Sequence, residues 1–555
     1  MVRVWLTAAI MLLAALVLVA RAVNLQVTEA EFLQGQGEAR FLRQMAIPTV
    51  RGNILDRHGE PLAVSTPVES VWAHPGELLQ ASERLSELAA LLDTPADDLE
   101  RRLTQRATRE FVWLRRRINP DLAEQIRSLS IPGVFFQREY RRFYPTGEVT
   151  AQILGFTNVD DVGQEGLELA YNGWLQGEPG AKRVIKDRLG RVVQDVELIR
   201  DARPGRDLQL TLDRRLQYLA FRELKAGVLD VEARSGSLVV MDVGSGEILA
   251  MVNFPSYNPN ASMRAVGEGL RNRALTDVLE PGSVIKPFAV AAAMEAGLAD
   301  PQMLVDTSPG TMRVSGHTIR DVRNFGEMTV EELLVKSSNV GVVQLVLSMD
   351  ARHLWGLYSR LGFGAVTGTG FPGESAGVLR DYERWRKLEQ ATLSYGYGLS
   401  VTPLQLARAT AAIADGGRLR QPSFIAGSEN PVLSVMDPEL ARDLVAMLEL
   451  ATRAGGTGTL AQVPGYRVAG KTGTSRKVGA GGYESRYVSS FAGFAPASRP
   501  RLAAVVVIHD PQGDRFFGGQ VAAPVFSKVM AAALRLFSIP PDDIETLVAA
   551  AGERP

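Results

Sequence analysis

The chain has no cysteine among its 555 residues, which excludes disulfide bonds, thiolate metal sites and a cysteine nucleophile. A protein without thiols also suits an oxidising compartment. Only five histidines are present, scattered without the spacing of metal ligands, and we expect neither a metal nor a cofactor. The formal net charge of −1 offers no electrostatic basis for binding nucleic acid. The composition, 46% hydrophobic and 22% charged, is that of a globular protein, and the length predicts roughly two to four domains.

One apolar run near the N-terminus is long enough to cross a membrane. Val4 to Ala20 carries no charge and lies at the short end of the length range for a membrane-spanning helix. Ala20-Arg21-Ala22 has the small-x-small form of a cleavage site, so a cleaved signal peptide is the alternative. Further apolar residues up to Leu25 favour an uncleaved anchor at residues 1–25. In either case we expect the remaining chain to be exported.

Residues 26–230 are predicted to form a pedestal between the anchor and the C-terminal domain. Residues 26–45 read as a polar helix, and the alternating apolar residues and Asp-Arg-x-Gly turn of Arg51 to Ala63 predict a β-hairpin. Residues 76–130 are predicted to be a helical subdomain in which the Arg115-Arg116-Arg117 run is a solvated face. Its predicted buried stripe consists of Leu85, Leu88, Leu91 and Leu92. Residues 134–230 read as short strands and turns, with a boundary near 230.

The C-terminal domain is predicted at residues 231–540. Two apolar segments flanking Val243 to Gly246 predict a strand hairpin with a glycine turn. Helices dominate residues 283–450, and strands return at 466–475, 488–496 and 502–508. Strands at both ends with helices between them predict one antiparallel sheet backed by helices. The polar tail, residues 541–555, is expected to be frayed.

The segment Glu280 to Phe288 contains the only Ser-x-x-Lys of the sequence. Pro281 and Gly282 bend the chain just before an apolar helix, so Ser283 and Lys286 share one helix face and can meet. Serine needs a neighbouring base to act as a nucleophile, and a lysine can serve only if burial or a nearby cation keeps it neutral. Taken alone, the tetrad fits a capped helix with a surface lysine better than it fits a nucleophile.

Two further motifs follow in the chain. Ser337-Ser338-Asn339 opens an apolar helix over Val340 to Leu347 and could simply be a helix cap. Lys471-Thr472-Gly473-Thr474 follows a strand-like segment, and its lysine and hydroxyls supply a fixed cation and hydrogen-bond donors for a carboxylate. Gly473 leaves room for an extended peptide to pair with this strand, although a strand that ends in a glycine turn would look the same.

In this order the three motifs match the active-site signature of penicillin-binding proteins and serine β-lactamases. The chain resembles class B penicillin-binding proteins, the monofunctional D,D-transpeptidases of bacterial cell-wall synthesis, over nearly its whole length. Arg51 to Ala63, and Gly163 to Glu168 with Gly177 to Gly180, resemble motifs of the family's pedestal, a dimerisation-type domain. Ser394 to Gly398 and Lys471 to Lys477 are similar to the division-specific subgroup.

The resemblance implies an α+β multidomain fold. It consists of a single N-terminal transmembrane helix, an elongated β-rich pedestal and a C-terminal transpeptidase domain. That domain is an antiparallel sheet flanked by helices, as in serine β-lactamases. Only Met1 to Arg3 precede the apolar run, where the subgroup usually has a longer basic segment, so the resemblance does not extend to contacts made by that segment.

The resemblance also implies a mechanism. Ser283 attacks the penultimate D-alanine of a stem peptide while Lys286 takes its proton, D-alanine leaves, and an amine of a neighbouring stem resolves the ester into a crosslink. Ser337 relays a proton to the leaving group, and Asn339 binds the substrate amide. The carboxylate is read by Lys471, Thr472 and Thr474, and the oxyanion is held by the backbone N–H groups of Ser283 and Thr474. We expect Lys286 to be the neutral member of the lysine pair.

Six aromatic residues are candidates for an apolar wall of the substrate groove, although aromatic residues near a sheet are as often core. They are Tyr395, Tyr397, Tyr483, Tyr487, Phe516 and Phe517. A β-lactam, which mimics D-alanyl-D-alanine, would acylate Ser283. Hydrolysis should be slow, because the sequence has no Glu-x-x-Leu-Asn of the kind class A β-lactamases use to position water.

The resemblance places the protein in the bacterial inner membrane, with its catalytic domain in the periplasm at the division septum. The implied partners are stem peptides, the glycosyltransferase FtsW, the FtsQ–FtsL–FtsB complex and FtsN. The alternatives are an elongation-specific transpeptidase, a D,D-carboxypeptidase, a penicillin-sensing or scaffold protein, and a purely structural division protein.

Overall fold

A computed structural model describes residues 2–29, 42–186, 192–261, 267–479 and 481–545. By their internal contacts the residues form two compact units. The first unit comprises Met1–Gly52, Ser65–Arg142 and Gly173–Arg206, and the second comprises Asn53–Val64, Phe143–Asn172 and Asp207–Pro555. The domain boundaries given above, at residues 25, 230 and 540, stay predictions.

The N-terminal helix α1 (Val2–Val23) continues into a π-helical turn at Asn24–Thr28. Within the described part of the chain, Val2–Thr28 is the one helix that is long and apolar enough to cross a membrane. The predicted polar helix over residues 26–45 is wrong at its end, where strand β1 (Leu42–Ile47) pairs antiparallel with β6 (Gly180–Lys186). Residues 30–41 of that prediction lie outside the described residues.

The first unit contains a three-stranded sheet in the order β1-β6-β7, where β7 is Val192–Arg200. A separate core packs short helices against strands. The helices are α2 (Pro75–Leu78), α3 (Leu85–Leu91), α4 (Ala96–Thr104) and α5 (Pro120–Ser128). Leu85, Leu88 and Leu92 are buried in this core and Leu91 is partly buried, which confirms the predicted stripe.

The prediction of continuous helix over residues 76–130 is wrong at Val112–Ile118, which is strand β4. Its buried residues Val112 and Leu114 alternate with more exposed ones, and it pairs antiparallel with β3 (Pro61–Ala73). Strand β5 (Val134–Phe143) also pairs with β3. The arginine run lies in β4, and Arg116 is half-buried with an ion pair to Glu139 at 2.6 Å. The run is therefore solvated only in part.

The predicted hairpin of Arg51 to Ala63 is confirmed, because β2 (Ile54–Leu55) pairs antiparallel with the start of β3. In the second unit β2 also pairs in parallel with β8 (Leu208–Gln209). Three short helices follow β5: α6 (Ala151–Leu154), α7 (Gly166–Ala170) and α8 (Asn172–Leu175). The reading of residues 134–230 as strands and turns misses α9 (Arg214–Asp230), which Asp213 caps.

The second unit is built on a five-stranded antiparallel sheet in the order β10-β9-β19-β18-β17. Its strands are β9 (Ser235–Asp242), β10 (Ile248–Phe254), β17 (Ala469–Gly479), β18 (Gly482–Ala495) and β19 (Leu502–His509). Six short strands form two-stranded ribbons: β11 (Leu304–Asp306) with β14 (Glu327–Thr329), β12 (Thr311–Val314) with β13 (His317–Arg320), and β15 (Arg418–Arg420) with β16 (Val432–Ser434). The predicted sheet with helices between its strands is confirmed.

The helices between β10 and β17, and the one after β19, complete this unit. They are α10 (Arg273–Thr276), α11 (Lys286–Glu295), α12 (Val330–Lys336), α13 (Asn339–Leu347), α14 (Ala351–Arg360), α15 (Lys387–Leu393), α16 (Pro403–Ala414), α17 (Pro438–Leu450) and α18 (Gly518–Leu536). Alternate strand residues pack on α9 and α18, as Leu238 and Val506 do, while α16 contacts β9 and β19. The sheet is therefore buried on both faces, which explains why its strands read as continuous apolar runs.

Candidate active site

Ser283 lies in a single 3₁₀ turn, Gly282–Ile285, that precedes α11. The helix proper begins at Lys286, one turn later than the sequence suggested, and Pro287 occupies its first turn, where its missing N–H costs nothing. Gly282 has φ +60°, a conformation that favours glycine, and its N–H donates to Gly396 O at 3.2 Å. Among the described residues, Ser283 Oγ makes no hydrogen bond to Lys286 Nζ, so the expected direct contact is not formed in the free site.

Lys286 is fully buried and connects the first motif to the second. Its Nζ donates to Ser337 O at 2.6 Å and to Asn339 Oδ1 at 2.7 Å, and it lies 3.2 Å from Ser337 Oγ. Burial holds the pKa of Lys286 well below its ordinary value, and the neighbouring charge of Lys471 lowers it further, whereas Asp321 raises it. These directions favour a neutral amine, which is the form that can take a proton from a serine.

The second motif is the junction of two helices. Ser337, at φ +61°, ends α12, and Ser338 caps α13 by accepting from Gly341 N–H at 3.0 Å. The cap reading is therefore correct for Ser338. Ser337 and Asn339 flank this cap and turn towards Lys286 instead, while Asn339 Nδ2 donates to Arg320 O at 2.9 Å.

Lys471 lies on β17 and is also buried, with Nζ 3.3 Å from Thr472 O. Burial lowers the pKa of Lys471 to about 7, so in the free protein it is not the permanently charged group that the sequence suggested. Thr472 Oγ1 donates to Thr457 Oγ1 at 2.8 Å, and Thr474 Oγ1 accepts from Gly518 N–H at 3.0 Å. Among the described strands β17 ends the order of its sheet, so one of its edges has no partner strand, which is the kind of edge to which an extended peptide adds.

Gly473 is required for a reason that the sequence did not reveal. A Cβ at this position would lie 2.3 Å from Ser490 Oγ and 2.5 Å from Val284 Cγ2. The glycine therefore lets the turn that carries Ser283 pack directly on β17. Ser475 Oγ fixes the same turn by donating to Glu280 O at 2.7 Å.

The six candidate aromatic residues form two clusters instead of one wall. The Tyr397 ring contacts Tyr395 and Tyr483 edge-on, with centroids 5.7 Å and 5.2 Å away. Tyr487, Phe516 and Phe517 stack in succession at 4.2 Å and 4.5 Å. Within the described residues no ring contact joins the two clusters. Tyr395 packs partly against a small apolar core, so for this residue the alternative of a core role holds in part.

Two acidic residues at the site were not singled out from the sequence. Glu280 Oε1 accepts from Gly398 N–H at 2.8 Å and from Tyr483 OH at 3.2 Å, and burial raises the pKa of this carboxyl. Asp321 contacts the second motif through Ser338. No local pattern marks either residue, because each acts on segments brought close only by the fold. No metal-binding group of three His, Asp or Glu side chains occurs in the described part of the chain.

Comparison with known proteins gives consistent results. Residues 236–531 match the penicillin binding protein transpeptidase domain, and residues 46–210 match the penicillin-binding protein dimerisation domain. The peptidoglycan D,D-transpeptidase FtsI of Escherichia coli K12 is 44% identical over 96% of this chain and 92% of its own. The probable peptidoglycan D,D-transpeptidase PbpC of Pseudomonas aeruginosa is 42% identical over 98% and 96%. The crystal structure of penicillin binding protein 3 of Mycobacterium tuberculosis with aztreonam is 26% identical, covers 90% of this chain and 98% of its own, and has a TM-score of 0.70.

Proposed function

Because the chain belongs to the class B penicillin-binding proteins, in the FtsI group of peptidoglycan D,D-transpeptidases, we propose that Ser283 is its acylated nucleophile. The observation that carries this proposal is the convergence of all three motifs around buried amines. Lys286 bonds to Ser337 and Asn339, and Lys471 lowers the pKa of Lys286. Groups that exchange a proton must lie within hydrogen-bond distance, as Lys286 does with Ser337 and Asn339.

The proposed reaction begins when Ser283 Oγ attacks the carbonyl carbon of the penultimate D-alanine. The hydroxyl proton passes to the neutral amine of Lys286, and the negative charge on the carbonyl oxygen is held by the backbone N–H groups of Ser283 and Thr474. Removing one such donor typically costs about 3–4 kcal/mol of transition-state stabilisation. As the C–N bond breaks, Ser337 passes a proton from Lys286 to the departing D-alanine.

The second half of the reaction reverses these roles. An amine of a neighbouring stem peptide attacks the ester carbon, loses a proton through Ser337 to Lys286, and forms the crosslink. Ser283 leaves and recovers its proton from Lys286. Asn339 binds the amide of the donor peptide throughout.

The terminal carboxylate of the donor is proposed to bind Lys471, Thr472 and Thr474. A carboxylate next to a buried amine favours its ammonium form, so binding would raise the pKa of Lys471 from about 7. The substrate would then supply the counter-charge for the cation that recognises it. Tyr395, Tyr397, Phe516 and Phe517 are proposed to line the groove as two separate aromatic patches.

The nucleophile is tested with a fluorescent penicillin, which should acylate the same serine. Detergent-solubilised protein should be labelled covalently, and Ser283→Ala should abolish the label on a denaturing gel. Ser359→Ala, an exposed serine on α14, is the matched control and should label like the unmodified protein. Equal label on Ser283→Ala, or none on the folded unmodified protein, would refute the assignment.

The proposal for the cell is that α1 anchors the protein in the inner membrane and that the transpeptidase domain works in the periplasm at the septum. The FtsI relatives and the apolar helix support it. The proposed partners are FtsW, the FtsQ–FtsL–FtsB complex and FtsN. The proposed domains are the anchor (1–25), the pedestal (26–230), the transpeptidase domain (231–540) and the tail (541–555). Imaging a fluorescent fusion in dividing cells tests it: a midcell band is expected, and uniform sidewall signal would favour the elongation-specific alternative.

A further inference from the structure

Asp321, in the segment after β13, holds the second motif with both of its carboxylate oxygens. Oδ2 accepts from Ser338 Oγ at 2.6 Å. Oδ1 accepts from the backbone N–H of Asn339 and, at 3.1 Å, from that of Val340. These donors are the first residues of α13, so the carboxylate sits at a helix N-terminus, where negative charge is favoured.

The same segment also fixes the side chain of Asn339. Arg320 O accepts from Asn339 Nδ2 at 2.9 Å, and Asn339 Oδ1 accepts from Lys286 Nζ at 2.7 Å. Asp321 therefore fixes the backbone of Asn339 while its neighbour in the chain fixes the amide. Together they orient the group that contacts the buried amine.

Asp321 also acts on Lys286 through its charge. Among the described residues, the charged groups that shift the protonation of Lys286 are Lys471, from β17, and Asp321, from the segment before α12. Lys471 favours the neutral amine, and Asp321 favours the ammonium. When Lys286 takes the proton of Ser283, a cation forms in a buried place, and Asp321 is the anion that stabilises it.

We propose that Asp321 is a positioning residue of the transpeptidase: its carboxylate fixes the Ser-x-Asn turn against Lys286 and stabilises the ammonium that forms there during acylation. The inference rests on the proposed role of Lys286 as the base for Ser283. Among the described residues Asp321 makes no hydrogen bond to Ser283, and it acts through Ser338, Asn339 and Lys286.

The test compares Asp321→Asn with the unmodified protein in stopped-flow acylation by a chromogenic cephalosporin between about pH 5 and pH 10. Loss of the charge should lower the acylation rate constant about tenfold or more at neutral pH. Lys286 becomes a weaker base, and the ammonium that it forms no longer has a carboxylate to stabilise it. It should also move the acid limb of the pH profile by about one pH unit to lower pH. The acid limb moves to lower pH because Lys286 must be neutral to act as the base and Asp321 raises its pKa. Without the charge of Asp321 that pKa falls.

Two control variants separate charge from helix capping. Ser338→Ala removes a hydrogen bond from Asp321 but keeps the carboxylate, so it should slow acylation without moving the acid limb. Glu332→Gln alters the exposed capping box at the start of α12, with Thr329, and should change neither rate nor profile. Asp321→Glu keeps the charge and should restore the position of the acid limb.

An unchanged rate in folded Asp321→Asn, or a slower rate with an unmoved acid limb, would overturn the proposal. In the second case Asp321 would only cap α13. Thermal melting checks that each variant is folded. The stoichiometry of penicillin labelling tests separately whether Ser283 is acylated, which is the premise of this proposal. Failure of the proposed function would appear as label on Ser283→Ala, whereas Asp321→Asn should reach full label slowly.

Discussion

At the scale of single residues, the site depends on two buried lysines whose ammonium forms are both costly. Lys286 is 0% and Lys471 is 2% exposed, and burial lowers the pKa of each. The roles proposed for them differ because their neighbours differ. Lys286 contacts two side chains of the Ser-x-Asn motif, while Lys471 lies on an edge strand beside two threonines that can bind a carboxylate. The base proposed at Lys286 and the cation proposed at Lys471 therefore differ in their neighbours and not in their burial.

The first prediction concerns pH. If Lys471 binds the carboxylate as proposed, it does so best when protonated, so the second-order rate constant of acylation should fall as pH rises through about 7, the pKa of Lys471. Stopped-flow measurements with a penicillin across that range check it. Lys471→Arg, which stays charged, should move the alkaline limb to higher pH. A profile that is flat from pH 6 to 9 would contradict the assignment.

The second prediction concerns Gly473. Gly473→Ala would place a methyl group 2.5 Å from Val284 Cγ2 and so displace the turn of Ser283. We expect penicillin acylation to slow at least about tenfold and the domain to lose about 1–3 kcal/mol of unfolding free energy. Gly481→Ala, where a Cβ meets nothing within 4 Å, is the control and should change little. Normal acylation by Gly473→Ala would show that the turn can shift without cost.

At the scale of elements, the catalytic motifs lie where one element ends and another begins. Ser283 occupies the turn before α11, the Ser-x-Asn motif joins α12 to α13, and only the third motif lies within a strand. Helix starts present unpaired N–H groups, which hold an oxyanion or are capped by a carboxylate. Helix caps are therefore part of how the site is built. The contribution of a capping carboxylate to the free energy of unfolding can be measured at another helix, α9, which Asp213 caps.

The third prediction concerns that structural cap. Buried Asp213 caps α9 by accepting from the backbone N–H groups of Arg215 and Leu216. Burial alone would raise the pKa of Asp213, but hydrogen bonds from the Arg215 guanidinium, His58 and Leu216 N–H, together with the charge of Arg215, bring it to about 2. A carboxyl whose pKa is lower in the folded than in the unfolded protein stabilises the fold at pH values above its unfolded pKa. This stabilisation is lost as pH falls through its folded pKa. Asp213→Asn should cost about 1–2 kcal/mol at pH 7, and the difference should shrink between about pH 4 and pH 2.

Urea unfolding of both proteins at pH 7 and pH 3 measures this effect. The control is Asp350→Asn at the exposed start of α14, which should cost less. An equal cost for Asp213→Asn at both pH values would show that its charge does not contribute.

At the scale of the whole molecule, the apolar N-terminal helix and the catalytic sheet belong to different compact units. None of the residues of α1 is buried, whereas the transpeptidase sheet is covered on both faces. Because the catalytic unit has its own hydrophobic core, its folding should not depend on the anchor.

The fourth prediction follows from this separation. Deleting residues 2–23 should move the protein from the membrane pellet to the soluble fraction and leave its rate of penicillin labelling within about twofold of the full chain. Fractionation followed by gel fluorescence checks both. Loss of label in a soluble, folded product would show that the anchor is needed for an active site.

The sequence alone determined the three motifs, the apolar anchor, the α+β order of elements and the buried leucine stripe, because each depends on spacing within a short segment. It did not reveal that Val112–Ile118 is a strand, since β4 exists through its pairing with β3. It also could not show that burial lowers the pKa of Lys471 to about 7, that the aromatic residues separate into two clusters, or that Asp321 raises the pKa of Lys286. Burial, ring contacts and the field at a buried amine depend on residues distant in the chain, and only the tertiary structure brings those together.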